Sequence, residues 1–183
     1  MIFSKTGKEN TEKVLKTAID AARTHHIETM VIASSLGETM KQLPPHDGLQ
    51  IICVTHQFGF PKAGELEFPA ETRKMLEAKG IHVLTATHVL SGLEVGLNKK
   101  YGGFFPPQIM ADTLRMFGQG TKVCVEIAVM AMDAGLLPYG KPVVAVGGTG
   151  RGADTAMILT PAPTGEILNV RIHEMLCKPG LYE

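Results

Sequence analysis

The sequence predicts an α/β fold, a three-layer sandwich whose mostly parallel sheet carries helices on both faces and ends in an antiparallel C-terminal hairpin. Through most of the chain, short β-branched segments alternate with segments of helical periodicity, which is typical of a parallel sheet covered on both faces. The last two predicted strands, residues 155–159 and 167–175, have no helix between them. Because the turn at residues 161–165 is too short for a parallel crossover, these two strands must form a hairpin.

The first predicted helix begins at Asn10 or Thr11, both of which are favourable N-cap residues, and runs to about His25. Its apolar side chains recur every three or four positions, so one face of the helix is suited to pack on a sheet. The apolar positions are Val14, Leu15, Ala18, Ile19 and Ala22.

Four predicted parallel strands alternate with the remaining helices. Pro69 occupies a favoured first-turn position of a helix that ends at Gly80. The four strands cover residues 30–33, 49–55, 81–85 and 143–146. The other predicted helical segments are a short one before Pro44, one interrupted at residues 101–103, residues 106–117, and residues 121–134 with Gly135 as the cap.

Length and composition indicate one globular domain over residues 1–183, with 44% hydrophobic and 20% charged residues. The formal net charge is zero, so no basic field favours a nucleic acid partner. No secretory leader and no apolar run of membrane-spanning length is found. Cys53, Cys124 and Cys177 lie in apolar stretches without a CxxC motif, which indicates buried thiols in a reducing compartment. We therefore expect a cytoplasmic protein without a membrane partner.

The loops at the carboxyl ends of the parallel strands are the expected place for a ligand, because ligands of open α/β sheets bind there. In the predicted sheet these loops are residues 34–39, 56–60, 87–92 and 147–155, and they hold an unusual share of the Ser, Thr, His and Gly residues. The sequence therefore predicts a small-molecule site where the four loops meet.

The glycine-rich loop after the strand at residues 143–146 is the most informative of the four. Four glycines among the six residues 147–152 permit positive φ angles and let a ligand approach the backbone. Backbone N–H groups in such a loop can form a nest for anions, and Arg151 can add bidentate hydrogen bonds. A plain flexible turn is the alternative, but the added Arg, Asp and Thr residues favour an anion site.

Asp154 lies in this loop although its charge is wrong for a phosphate contact. Three roles stay open for it. It caps N–H groups of its own loop or orients Arg151, it accepts hydrogen bonds from a ribityl, sugar or ring donor, or it acts as an acid or base.

The four loops together supply the predicted cofactor-binding residues, whereas no catalytic residue is assigned. These residues are Ser34, Ser35, Gly37, Glu38, Thr39, His56, Thr87, His88, Gly147, Gly148, Thr149, Gly150, Arg151, Gly152, Asp154 and Thr155. The two histidines follow neighbouring strands, so they are expected to converge. No metal site is predicted, because a zinc site takes three or four ligands.

A charged pair on one helix and the absence of two enzyme motifs limit the classes of function. Lys122 and Glu126 are four residues apart on one predicted helix and are expected to pair on its surface. Neither a GxxxxGK[ST] loop nor a GxSxG turn occurs, so the sequence lacks the phosphate loop of common nucleotide hydrolases and the nucleophile elbow of α/β-hydrolases.

Several of these segments resemble the C-terminal domain of pyruvate kinase, and more closely the stand-alone pyruvate kinase alpha/beta domain proteins of archaea and bacteria. In the pyruvate kinase domain, a Ser/Thr-rich loop after a strand cradles a sugar phosphate, a strand ends in Val-Thr, and a glycine-rich loop with Arg precedes an antiparallel strand. The matching segments here are residues 33–39, 51–55 and 147–155. The signatures of the stand-alone proteins are matched by residues 87–92, 113–120 and 148–155, and by Lys122 with Glu126.

The resemblance implies a phosphate-bearing small molecule as ligand, most favourably flavin mononucleotide (FMN), which we associate with this family. A sugar-phosphate sensor, a flavin-dependent oxidoreductase and a small-molecule phosphate hydrolase using His56 or His88 are the alternatives. Leu36 departs from the phosphate-loop pattern, and the catalytic barrel is absent, so we expect no pyruvate kinase activity. Because the parent domain forms subunit contacts and residues 93–105 are apolar and glycine-rich, we also expect a homo-oligomer.

Overall fold

The computed structural model describes residues 1–180, and these form one seven-stranded sheet. The strands are β1 (Ile2–Phe3), β2 (Thr29–Ala33), β3 (Gln50–Val54), β4 (His82–Leu84), β5 (Val143–Gly147), β6 (Thr155–Thr160) and β7 (Arg171–Pro179). Their order across the sheet is β1-β7-β6-β5-β2-β3-β4. Strands β5, β2, β3 and β4 are parallel, whereas β6 is antiparallel to both β5 and β7.

Helices cover both faces of this sheet, as the alternating sequence predicts. The helices of the described residues are α1 (Thr11–Thr24), α2 (Glu38–Lys41), α3 (Ala70–Glu77), α4 (Leu93–Tyr101), α5 (Pro106–Arg115) and α6 (Gln119–Asp133). Helices α1 and α3 contribute to the core on one face of the sheet, and α6 forms the core on the other face. Helix α5 packs against α6.

The two cores share the central strands because successive side chains of a strand point to opposite faces. Met30 and Ile32 of β2 join the core under α1, whereas Val31 between them joins the core under α6. Leu15 of α1 is fully buried, which stabilises the fold by roughly 1.5–3 kcal/mol relative to an exposed leucine. The apolar face predicted for the first helix is therefore the face that packs on the sheet.

The predicted C-terminal hairpin is confirmed, but its boundaries and its position in the sheet differ from the prediction. Residues 164–169 form a 3-10 turn, so the last strand begins at Arg171 rather than at residue 167. Strand β1 was not predicted. It pairs in parallel with β7, so β1 and not the hairpin forms this edge of the sheet. A two-residue strand has no periodicity to detect, because only its pairing with residues 178 and 179 defines it.

Helix α6 is buried along almost its whole length, including two charged residues. Lys122 and Glu126 form the predicted ion pair, but their side chains are only 5% and 4% exposed. The expectation of a surface pair is therefore wrong, because α5 and residues 87–92 cover this side of α6. None of the helices within residues 1–180 combines the length and the apolar character needed to cross a membrane.

Candidate functional site

The loops after β2, β3, β4 and β5 leave the same edge of the sheet, because these four strands are parallel. Two histidines from neighbouring loops meet there. The ring centroids of His56, after β3, and His88, after β4, are 5.6 Å apart. The predicted convergence of these two side chains is confirmed by this geometry.

His56 lies at the centre of a chain of polar contacts. Its Nε2 atom is 3.2 Å from the hydroxyl of Ser35, and its Nδ1 atom is 2.5 Å from a carboxylate oxygen of Glu67. With the ring proton on Nδ1, His56 donates to Glu67 and accepts the hydroxyl proton of Ser35. The phenyl ring of Phe60 packs edge-on against the imidazole, with 4.6 Å between the ring centroids.

Glu67 extends this chain to the glycine-rich loop. Arg151 donates from its guanidinium to the second carboxylate oxygen of Glu67 at 2.9 Å. Burial on its own would raise the pKa of Glu67, but hydrogen bonds from Arg151 and His56 hold that pKa below its ordinary value. Glu67 is therefore ionised at neutral pH and links the loops after β3 and β5.

A second group of polar atoms lies between β2 and β5, where the chain connections diverge. From β2 the chain continues to β3 on one side, and it later returns to β5 on the other side of β2. In open α/β sheets, ligands bind outside the carboxyl ends of the strands at such a switch point. The hydroxyls of Ser34, after β2, and Thr149, after β5, are both buried and have no hydrogen-bond partner among residues 1–180.

Backbone donors line the loop that begins at Ser34. Within the described part of the chain, the N–H groups of residues 35–38 donate to no protein acceptor. Gly37 turns the loop with a φ angle of 84°, and a Cβ atom at this position would lie 2.5 Å from Cγ2 of Thr72. Glycine is therefore required at position 37 both for the backbone conformation and for the close approach of the helix that carries Thr72.

The tip of the glycine-rich loop also offers backbone N–H donors. In the described structure, the N–H groups of residues 150–152 have no protein acceptor, and Gly150 has a φ angle of 70°. Cβ atoms at Gly148 and Gly152 would lie 2.3 Å from the carbonyl oxygen of Gly152 and 2.4 Å from Cα of Lys8, respectively. These two glycines let the loop fold tightly on itself and on the N-terminal segment.

Three predicted binding residues of this loop lie beneath it, where a ligand has no access to them. Asp154 is fully buried and accepts hydrogen bonds from the N–H groups of Gly7 and Thr149 and from the Thr155 hydroxyl. Thr155 is also fully buried. Gly147 packs against α6, since a Cβ atom there would lie 2.8 Å from the carbonyl oxygen of Gly120. Of the three roles open to Asp154, the structure favours capping of its own loop.

The structure does not bring every other predicted residue into the site. Glu38 is exposed and pairs with Lys41 on the same short helix, with 2.6 Å between the charged atoms. Thr87 is exposed and its hydroxyl makes no hydrogen bond within residues 1–180. Thr39 is buried at the base of the loop. Their hydroxyl and carboxylate chemistry suggested binding, but Glu38 and Thr39 belong to α2, and none of the three side chains bonds the His56 contacts in the described structure.

His88 lies above the buried ion pair of α6. Its Nδ1 atom is 4.0 Å from a carboxylate oxygen of Glu126, whose other oxygen accepts the backbone N–H of Leu90 at 3.0 Å. Burial lowers the pKa of His88, and the attraction of Glu126 offsets part of this effect. Burial likewise lowers the pKa of Lys122. Among the described residues, no three metal-binding side chains lie close enough together to hold an ion.

Sequence reasoning missed Glu67, the acidic member of the His56 chain. The loop after β3 contains both Glu65 and Glu67, and only their neighbouring residues distinguish them. Glu65 is exposed and pairs with Lys62, whereas Glu67 precedes Phe68, which is only 2% exposed. The anchoring of an aromatic residue next to a carboxylate is the one sequence signal that favours Glu67.

Comparisons with known proteins agree with this architecture. A model of the family described as pyruvate kinase, alpha/beta domain, matches residues 12–159. The chain is also similar to two solved pyruvate kinase chains from Cryptosporidium parvum, both at 13% sequence identity. One match has a TM-score of 0.45 and covers 83% of this chain and 23% of the other; the second has a TM-score of 0.40 and covers 81% and 21%. This chain thus spans less than a quarter of those pyruvate kinase chains. Because the family match extends over most of its length, the chain belongs to the pyruvate kinase alpha/beta domain family.

Proposed function

We propose that this protein binds a phosphate-bearing small molecule, with FMN as the first candidate, in the crevice between the loops after β2 and β5. One observation carries the proposal: the hydroxyls of Ser34 and Thr149, which follow β2 and β5, are buried and have no hydrogen-bond partner in the described chain. A buried hydroxyl without a hydrogen bond costs roughly 1–3 kcal/mol. Two such groups at a topological switch point are explained if a ligand with acceptor oxygens occupies the crevice.

The donors around the crevice suit an anion. The unpaired N–H groups of residues 35–38 and 150–152 face no competing protein acceptor in the described structure. Arg151 uses one guanidinium nitrogen for Glu67, and its side chain is 58% exposed, so other donors of the same group stay available. Asp154 does not repel the ligand strongly, because its carboxylate is directed into the protein and neutral donors surround it.

FMN is preferred over a sugar phosphate because of the surface beside the crevice as well as the family resemblance. Phe58 and Phe60, in the loop after β3, are 65% and 46% exposed. Exposed aromatic rings next to a polar site are suited to stack on a flat ring system. A sugar phosphate would use the same donors and leave these rings in water. We propose no pyruvate kinase activity for this chain.

Titration of the purified protein with FMN tests the proposal. We expect saturable quenching of flavin fluorescence, and we expect Arg151→Ala to weaken binding by about 1.5–3 kcal/mol, the value of a hydrogen bond to a charged group. Arg23→Ala is the matched control, because Arg23 is an exposed arginine at the end of α1 that bonds only the carbonyl of Pro45. Equal affinity of the wild-type protein and Arg151→Ala would contradict the proposal. A sugar phosphate that competes with FMN would identify the alternative ligand class.

A further inference from the structure

We propose that Ser35, His56 and Glu67 form a nucleophilic site that hydrolyses carboxylic esters through an acyl-Ser35 intermediate. This inference goes beyond the proposed binding function: it shares the N–H donors of residues 36 and 37 and the rings of Phe58 and Phe60, but its reactive groups are different side chains. The binding proposal depends on the unpaired hydroxyls of Ser34 and Thr149. The hydrolytic site depends on three side chains that contact each other directly.

The geometry has the three parts that an activated serine needs. The Ser35 hydroxyl lies 3.2 Å from Nε2 of His56, and Glu67 lies 2.5 Å from the opposite ring nitrogen. These distances are those of a nucleophile bonded to its general base and of a base oriented by a carboxylate. Ser35 comes from the loop after β2, whereas His56 and Glu67 come from the loop after β3. The two contacting pairs are 21 and 11 residues apart in the chain, so no short motif encodes the arrangement.

The nucleophile and the base are more exposed to solvent than the carboxylate that orients the base. Ser35 is half-buried and the His56 side chain is 31% exposed, so a substrate can reach both. Glu67 is only 12% exposed, and Arg151 holds its second oxygen. Because Glu67 contacts the histidine and not the substrate, we assign it as a positioning residue and assign Ser35 and His56 as the catalytic residues.

Donors for the negative charge of the reaction lie next to the nucleophile. The N–H groups of Leu36 and Gly37 directly follow Ser35 and have no protein acceptor in the part of the chain that the structure describes. Backbone N–H groups in this relation to a serine stabilise the oxyanion of a tetrahedral intermediate. The exposed rings of Phe58 and Phe60 lie on the same loop as His56 and offer an apolar surface for a short acyl group.

The reaction is balanced with water as the only co-substrate. In acylation, Oγ of Ser35 attacks the ester carbonyl carbon and its proton passes to Nε2 of His56. The bond from the carbonyl carbon to the alcohol oxygen then breaks, and His56 returns the proton to the departing alcohol. In deacylation, water attacks the acyl carbon while His56 accepts its proton. The bond to Oγ breaks, the proton returns to Ser35, and the carboxylic acid is released.

Covalent labelling of the full chain with an alkyl fluorophosphonate tests the nucleophile. We expect one adduct by intact-mass measurement, located on Ser35 by peptide mass spectrometry and absent from Ser35→Ala. His56→Gln should lower the labelling rate about 10²-fold or more, the contribution of a general base. His56→Asn is the second variant, so that one folding failure does not decide the result. Ser4→Ala, at an exposed serine outside the site, should be labelled like the wild-type protein. Labelling on another residue, no labelling, or equal rates for wild type and the His56 variants would overturn the proposal.

Hydrolysis of 4-nitrophenyl acetate tests the role of Glu67. Glu67→Gln keeps the shape of the side chain but removes its charge, so we expect kcat to fall at least tenfold while KM stays within about twofold. A mere packing role would lower the melting temperature without this change in kcat. Unchanged kcat in Glu67→Gln would overturn the positioning role. These assays contain no FMN, so their outcome is independent of the flavin titration.

Discussion

Ser34 and Ser35 are neighbours in the chain but have opposite environments. The Ser34 side chain is buried, and its hydroxyl has no hydrogen-bond partner among residues 1–180. The Ser35 hydroxyl is partly exposed and contacts His56. Two consecutive residues of one type therefore have different roles in the two proposals.

The unpaired hydroxyl of Thr149 leads to a prediction in which stability and binding change in opposite directions. Thr149→Val keeps the shape of the side chain and removes the hydroxyl. We expect it to raise the free energy of unfolding of the ligand-free protein by up to about 1–3 kcal/mol, because an unsatisfied buried group is removed. We also expect weaker binding of FMN. Urea denaturation and fluorescence titration measure the two effects.

Thr11→Val is the matched control for this substitution. The hydroxyl of Thr149 is buried, and Thr11 is fully buried, but the Thr11 hydroxyl accepts the N–H of Ala153 at 3.0 Å. The control variant should therefore lose stability, because it leaves this N–H without an acceptor. If Thr149→Val were destabilised as strongly as Thr11→Val, the Thr149 hydroxyl would have a hydrogen-bond partner in solution, which would contradict the prediction.

Helix α6 connects the hydrophobic core to the loop that carries His88. The side chains of Lys122 and Glu126 pair inside the protein, and Glu126 also accepts hydrogen bonds from the N–H of Leu90 and the hydroxyl of Ser91. The charges are thus satisfied by partners from two elements. A buried pair of this kind adds little net stability, but the loss of one partner is costly because the other charge stays buried.

We therefore expect Glu126→Ala to destabilise the protein by roughly 3–5 kcal/mol. The double variant Lys122→Met with Glu126→Leu should recover part of this loss, since it removes both charges and keeps apolar volume. Full recovery is not expected, because Leu90 and Ser91 still lose their acceptor. Chemical denaturation of the three proteins measures the difference. Equal stability of Glu126→Ala and wild type would show that the pair is solvated in solution.

Helices α4 and α5 and their flanks carry a concentration of exposed apolar side chains. Helix α4 contains no buried residue, and α5 contains only Ala111 in that class. Large apolar side chains project from this region and its flanks: Leu93 is 77% exposed, Tyr101 71%, Phe104 89% and Met116 80%. Concentrations of exposed apolar side chains are characteristic of interaction sites. We propose a second copy of the chain as the partner, because closed homo-oligomers are the common outcome for such surfaces.

Light scattering at micromolar concentration tests this expectation. We expect a mass that is a multiple of the monomer mass of 19.7 kDa, and a shift towards the monomer in Phe104→Asp. The charged side chain would lose hydration in a buried interface, whereas it is harmless on a monomer surface. Phe58→Asp, at an exposed phenylalanine outside this region, should leave the mass unchanged. A monomeric wild-type protein would contradict self-association through this surface.

The local pattern of the sequence determined most of the architecture. The alternation of strands and helices, the helix from Thr11, and the C-terminal hairpin follow from periodicity and loop length, which are properties of short segments. The gathering of four loops at the carboxyl ends of the strands also follows, because chain connections in parallel sheets place those loops together. The convergence of His56 and His88 is one consequence.

Tertiary structure alone decided which side chains meet. Glu67 and Arg151 are 84 residues apart, and Asp154 contacts the N–H of Gly7 across 147 residues. Distant parts of the chain also decide the formation of β1, which is defined by its pairing with β7, and the burial of Lys122 and Glu126. Short segments carry no information about such partners, since the environment of a polar group depends on which distant elements pack around it. Asp154 thus caps its own loop from a buried position, and Glu67, outside the predicted site residues, contacts His56.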